Sequence, residues 1–242
     1  MYVAPHVPDR LPVPLLLVLH GLHLDPQTAE ATTGFDAVAG REDVALLFPD
    51  GVDKSWNAGT CCGPSSKAGV DDVGLLAHVV QLASAVRPID RQRVFVAGFS
   101  NGGMMALRAV CERPDVFTAA VSVAGTLATQ CGSGAPISAL LLNGTSDKTV
   151  PFGGTGYSSF LQTSLTAVPR AVASLAARAG CAAAVTQLEE DYRRTTYRRC
   201  AAGGAVELVA VDGLGHGWPT TARGGIDAGG LAWDFFSRRS NG

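Results

Sequence analysis

The chain is poor in charge. Only 17% of its 242 residues are Asp, Glu, Lys or Arg, and 19 basic against 21 acidic residues leave a net charge of −2. No basic excess exists to neutralise phosphates, so no nucleic-acid partner is expected. Long apolar runs are missing too. The run Val13–Leu19 falls far short of the ~20 residues a membrane-spanning helix needs, so no membrane partner is expected. The cysteines show no C-x-x-C spacing and no histidine partners, which argues against a metal site. The N-terminus lacks the basic, apolar and small-residue regions of a secretory signal, since Met1 to Pro5 leads almost directly into the first strand. The protein is then either cytosolic or already trimmed of its signal.

What is present is apolar material, 47% of residues. That is enough for one sizeable core, and a single domain over 1–242 is the natural reading. The six cysteines, an even number in an enzyme-sized chain, suit disulfides and therefore export; buried reduced thiols in a cytosolic protein are the alternative.

Aliphatic runs predict strands at Leu15–His20, Val44–Phe48, Val94–Gly98, Ala119–Ala124, Ala139–Asn143 and Val206–Val211. Each is apolar on both faces, as strands of a covered parallel sheet are. Helical periodicity predicts helices at Thr28–Ala39, Asp72–Val86, Asn101–Glu112, Pro169–Ala179 and Asp227–Arg238, with Pro169 suited to a first helical position and Gly180 to a C-terminal stop. The alternation implies right-handed crossovers and a doubly wound α/β sheet, with chemistry on the loops that follow strands. The Gly- and Ser-rich stretch Phe152–Ser164 reads as a surface excursion beside the site.

Val94 to Ala106 reads as strand, then Gly98-Phe99-Ser100-Asn101-Gly102, then helix. This is the G-x-S-x-G nucleophile elbow, which holds a serine on a strained turn above a helix N-terminus. A hydroxyl is a weak nucleophile near neutral pH and needs an imidazole base oriented by a carboxylate. In this fold the order is Ser, acid, His. Asp147 follows the strand Ala139–Asn143 and is the acid; if it only caps its loop, Asp53 or Asp212 would have to serve. His216, between Gly215 and Gly217 after the last strand, is the base, because His6, His20, His23 and His78 all precede Asp147. The backbone N–H groups of Leu22 and Asn101 are the candidate oxyanion hole.

These residues resemble the poly(hydroxybutyrate) depolymerase-like esterases, a family of secreted α/β-hydrolases that includes feruloyl and acetyl xylan esterases. The match runs from Leu15 to Phe236 through Leu19-His20-Gly21, Phe48-Pro49-Asp50-Gly51, Trp56-Asn57-Ala58-Gly59-Thr60-Cys61-Cys62-Gly63, Val70-Asp71-Asp72-Val73-Gly74, the elbow, and Gly215-His216-Gly217-Trp218-Pro219. The resemblance implies an α/β-hydrolase fold, with a mostly parallel sheet covered by helices on both faces. It implies a secreted carboxylic ester hydrolase without metal or cofactor, acting on an aryl, acetyl or hydroxyacyl ester, small or polymer-linked. Relatives usually begin with two further strands, of which only Tyr2 to Pro5 could remain, so the N-terminal strands read as truncated. Position 22 is Leu where many relatives have Cys or Asn, and no substrate-binding domain is appended.

Within that resemblance, Cys181 and Cys200 look like one bridge. Adjacent Cys61 and Cys62 are expected to reach Cys111 and Cys131 separately, because a disulfide wants Cα atoms ~5.5 Å apart; which reaches which is open. Trp56 and Trp218 are candidate walls for a flat substrate. Asp72 reads as structural, and Arg193, Arg194, Arg198 and Arg199 as a solvated edge. A monomer is expected. An acyltransferase on the same triad, or a non-catalytic binding protein on a hydrolase scaffold, are the alternatives.

Overall fold

Every side chain of Val13–Leu19 is buried, and successive residues face opposite sides: Leu15, Leu17 and Leu19 join one core, Leu16 and Val18 another. A parallel strand covered on both faces has no solvent side, which is why this run shows no polar alternation. The computed structural model describes residues 2–3, 11–153, 156–201 and 203–239.

The strands are, in chain order, β1 (Tyr2–Val3), β2 (Val13–Leu19), β3 (Ala45–Leu47), β4 (Ile89–Phe99), β5 (Ala119–Val123), β6 (Ser138–Gly144), β7 (Tyr157–Ser158), β8 (Thr163–Ser164), β9 (Ala183–Leu188), β10 (Tyr192–Arg198) and β11 (Ala205–Val211). Among the described residues, nine of these form one sheet in the order β1-β3-β2-β4-β5-β6-β11-β10-β9, and β7 pairs with β8 alone. The six central strands from β3 to β11 are parallel; at the edges β1 pairs antiparallel with β3, β10 with β11 and β9 with β10. The helices are α1 (Pro26–Thr33), α2 (Phe35–Ala39), α3 (Gly63–Ala68), α4 (Asp72–Val86), α5 (Asn101–Glu112), α6 (Val168–Arg178) and α7 (Ala228–Ser237). Residues of α4, α5 and α6 fill the core on one face of the sheet, and those of α1, α2 and α7 the core on the other. This is the α/β-hydrolase architecture that the sequence predicts.

Two elements depart from the sequence reading. The helix expected over Thr28–Ala39 is two helices, because Gly34 adopts φ 71°. The left-handed residue ends α1 and turns Phe35 and Val38 of α2 into the core. Second, the segment between Cys181 and Cys200 is a hairpin, β9 and β10, at the sheet edge. The arginines read as a solvated edge are partly engaged there: Arg193 pairs with Asp212 at 2.8 Å, and Arg194 with Glu207 at 2.7 Å. Glu207 is 4% exposed and also lies 3.6 Å from both Arg238 and Arg239, so it is a buried acid charge-balanced by several guanidinium groups. The strand remnant read over Tyr2 to Pro5 is present as β1, which pairs with β3, while Ala4, Pro5 and His6 lie outside the described residues.

Cys181 and Cys200 are bonded, tying the end of α6 to the end of β10. The expectation for the other four is corrected. Cys111 of α5 bonds Cys131, with Cα atoms 5.2 Å apart, which leaves neither for the adjacent pair. Cys61 and Cys62 bond each other, their Cα atoms 3.1 Å apart across a cis peptide. The Cα separation assumed from ordinary disulfides does not apply to neighbours joined that way.

Because a cross-link mainly restricts the unfolded chain, replacing Cys181 and Cys200 together by serine should cost about 2–4 kcal/mol. A scanning calorimetry trace with an unchanged Tm would show that the bridge is not stabilising.

Candidate active site

β4 ends at Phe99 and α5 begins at Asn101, so Ser100 alone turns the chain. It does so at φ 53°, a left-handed conformation that a side chain rarely adopts. Ser100 N–H donates to Val123 O on β5 at 2.8 Å, and its carbonyl accepts from Met104 N–H in the first turn of α5 at 3.0 Å. The flanking glycines are required by contact rather than flexibility. A Cβ on Gly98 would strike the Gly102 backbone, and a Cβ on Gly102 would strike the carbonyls of Leu19 and His20 at the end of β2. The elbow is therefore pressed against the neighbouring strand end that carries the Leu22 loop.

His216 Nε2 lies 3.1 Å from Ser100 Oγ, and Nδ1 lies 2.7 Å from Asp147 Oδ2. The second carboxylate oxygen, Asp147 Oδ1, accepts from the N–H groups of Thr149 and Val150, both at 2.8 Å. With both oxygens engaged in a site only 5% exposed, Asp147 is a fixed acceptor. It selects the Nδ1–H form of His216 and leaves Nε2 free to accept from the serine. Asp53 and Asp212 take no part in this line; Asp212 pairs with Arg193 instead.

Neither Leu22 N–H nor Asn101 N–H has a backbone or side-chain acceptor among the described residues. For Asn101 this follows from its place at the start of α5, where helical N–H groups have no partner within the helix. Both donors are held by a polar brace. The Asn101 side chain accepts from Trp56 N–H at 2.7 Å and donates to Trp56 O at 2.9 Å. The Trp56 indole N–H donates to His20 O at 3.0 Å, and its ring lies 5.0 Å from the His20 ring. Gly51 N–H donates to His20 Nε2 at 3.0 Å, so Nδ1 carries the proton and donates to Gly21 O at 2.8 Å.

Trp56 is therefore corrected as a substrate wall. It is 0% exposed and its polar atoms are spent inside the brace, so no ligand can stack on it. Trp218 is 8% exposed, edge-on to Phe35, and lines a cleft of about 460 Å³ together with Leu24, Phe99, His216 and Arg223. A second cleft of about 430 Å³ opens beyond Leu22, bounded by His23, Lys67 and Phe160.

Sequence reasoning missed the side-chain roles of His20 and Asn101, and gave Asp72 only a general structural part. The signal was there in the polar residues adjoining Trp56 and Ser100, but their partners are 31 to 45 positions away. Asp72, wholly buried, accepts from Asn57 N–H and Ser65 Oγ–H, both at 2.6 Å, and so fixes the loop that carries Trp56. Asp72→Ala should leave two buried donors unpaired and cost about 2–4 kcal/mol. Urea unfolding checks this, and a midpoint within error of the native one would remove Asp72 from the brace.

A serine at positive φ between a parallel strand and a helix, followed in the chain by an acid and a histidine at the ends of later strands, is the arrangement of the α/β-hydrolase fold. The chain has that fold. The prolyl oligopeptidase family matches residues 65–132, a stretch that contains Ser100. A putative esterase, NocK, of Nocardia uniformis subsp. tsuyamanensis is 38% identical over 157 residues, covering 62% of this chain and 44% of that protein. Feruloyl esterase B of Piromyces equi is 27% identical over 240 residues, covering 94% of this chain and 42% of that protein. The chain thus spans less than half the length of either relative. Among solved structures, acetyl xylan esterase from Aspergillus awamori superposes with a TM-score of 0.69 at 14% identity, over 98% of this chain and 92% of that one. The resemblance to feruloyl and acetyl xylan esterases read from the sequence agrees with these relatives.

Proposed function

We propose that this chain is a serine ester hydrolase that works through a covalent acyl-enzyme. The observation that carries the reading is the hydrogen-bonded line from Asp147 through His216 to Ser100, placed at the carboxyl ends of parallel strands. His216 Nε2 takes the proton from Ser100 as Oγ attacks the ester carbonyl, and Asp147 stabilises the resulting imidazolium. The carbonyl oxygen becomes an oxyanion facing the N–H groups of Leu22 and Asn101. Collapse of this intermediate expels the alcohol, whose oxygen receives the proton from His216. Water then attacks the acyl-serine, giving its proton to His216, and the acid leaves as Ser100 recovers its hydrogen. The scheme uses side chains and backbone N–H groups of this chain and water.

The relatives' names favour feruloyl or other aryl esters and acetyl esters as substrates, and the family resemblance adds hydroxyalkanoate esters. Three disulfides support export as the setting in which the enzyme works.

The reading is tested by labelling with a fluorophosphonate and mapping the adduct by mass spectrometry, alongside hydrolysis of methyl ferulate, acetylated xylan, hydroxybutyrate oligomers and a peptide amide. Adduct on Ser100 with turnover of at least one ester is the expected result. An unlabelled Ser100, or cleavage of the amide alone, would overturn it.

A further inference from the structure

Arg223 is folded back onto the segment that carries His216. Its Nη2 donates to the His216 carbonyl at 2.9 Å. Its guanidinium packs so closely on the next residue that a Cβ at Gly217 would sit 2.5 Å from Cζ and displace it. The turn from Thr220 to Arg223 is closed by two reciprocal backbone hydrogen bonds of 2.9 Å, with a third from Arg223 N–H to Thr220 Oγ1 at 3.2 Å. The side chain is exposed, and its own turn and the base loop place the cation at the cleft.

A guanidinium carries five N–H donors, and one is accounted for. Among the described residues Arg223 has no carboxylate partner, unlike Arg93, Arg108, Arg113 and Arg193. It lines the 460 Å³ cleft, to which no described Asp or Glu contributes; Leu24, Phe99 and Trp218 supply apolar lining, and Thr28, Thr32 and Thr220 hydroxyls. His216 lines the same cleft. Since His216 hands a proton to the departing oxygen, the alcohol half of an ester lies on the side of the site that Arg223 occupies.

We propose that Arg223 is a specificity-determining residue that binds a carboxylate on the alcohol half of the ester. The substrate class is then an ester of an alcohol that itself carries an acid group, such as a hydroxy acid. This rests on the ester hydrolase reading above. A fork of N–H donors beside an apolar wall suits a planar anion on a hydrocarbon or aromatic body.

The test is kcat/KM for the matched esters 4-acetoxybenzoate and 4-acetoxybenzamide with the native protein, Arg223→Ala and Arg223→Lys. The amide has the better leaving group, so a preference for the carboxylate cannot be electronic. The native protein should favour the carboxylate by about tenfold or more, chiefly through KM. Arg223→Ala should bring the ratio to about one, and Arg223→Lys should restore part of it, because a point charge lacks the fork. The ratio is the readout, so any general loss from freeing the His216 carbonyl cancels. A native ratio of one or below, or a ratio unchanged in Arg223→Ala, overturns the inference while leaving an ester hydrolase in place. Failure to hydrolyse either ester overturns this inference, and overturns the ester hydrolase reading as well when Ser100 also fails to take the fluorophosphonate.

Discussion

Replacing Ser100 with alanine should lower kcat for p-nitrophenyl acetate by on the order of 10⁶ and leave the fold intact, because triad residues act as a unit. Ser100 Oγ is the hydroxyl within hydrogen-bonding distance of His216 Nε2, at 3.1 Å. Alanine suits the same turn no worse than serine, since both carry a Cβ at φ 53°. The backbone bonds to Val123 O and from Met104 N–H do not involve the side chain and persist in the variant. Stopped assays and thermal unfolding together make the measurement. The unfolding curve should overlay the native one, and a variant keeping most of its turnover would move the nucleophile elsewhere.

The second large effect belongs to Asp147→Asn. The amide keeps the size of the carboxylate but offers only one oxygen, which the N–H groups of Thr149 and Val150 already claim. Its NH₂ then faces His216 Nδ1, which must become an acceptor, so the proton moves to Nε2 and points at Ser100. A base protonated on the wrong nitrogen cannot deprotonate the serine, and in a triad that change costs kcat about 10⁴-fold. Substrate affinity does not depend on this proton, so KM should change little. A loss of tenfold or less would mean that Asp147 only anchors its loop.

The parts of the fold that the sequence announced are those whose signal is local. Asp72–Val86 and Asn101–Glu112 are helices with the bounds read from periodicity and caps. The central strands, apolar throughout, fall within a few residues of their predicted limits, β4 alone extending several residues further back through Asp90, Arg91 and Gln92. The hairpin β9–β10 was illegible because its residues are largely exposed and carry no alternation of burial; it exists through backbone pairing with β11, which hydropathy does not encode. The split at Gly34 was hidden because one glycine within a helical pattern does not reveal which φ it will take.

At the site, Ser100, Asp147 and His216 could be found because the elbow fixes one position and chain order limits the others. Trp56 was misplaced for the opposite reason. An aromatic beside a catalytic motif looks the same in sequence whether its ring faces a ligand or a neighbouring carbonyl, and only the distance from its indole N–H to His20 O separates the two. The pairing of Cys61 with Cys62 was likewise a matter of where Cys111 and Cys131 come together, which depends on how α5 lies against the loop after β5.

The brace joining His20, Trp56 and Asn101 divides the site into two regimes of tolerance. Its members are buried and interlocked, so a change at any of them reaches the N–H groups of Leu22 and Asn101. Trp218 and Arg223, and across the other cleft Lys67 and Phe160, touch the clefts from loops and short elements outside the brace. On the proposed ester hydrolysis, selection, natural or in the laboratory, can therefore change which ester is accepted through cleft residues one at a time, without touching the line from Asp147 through His216 to Ser100.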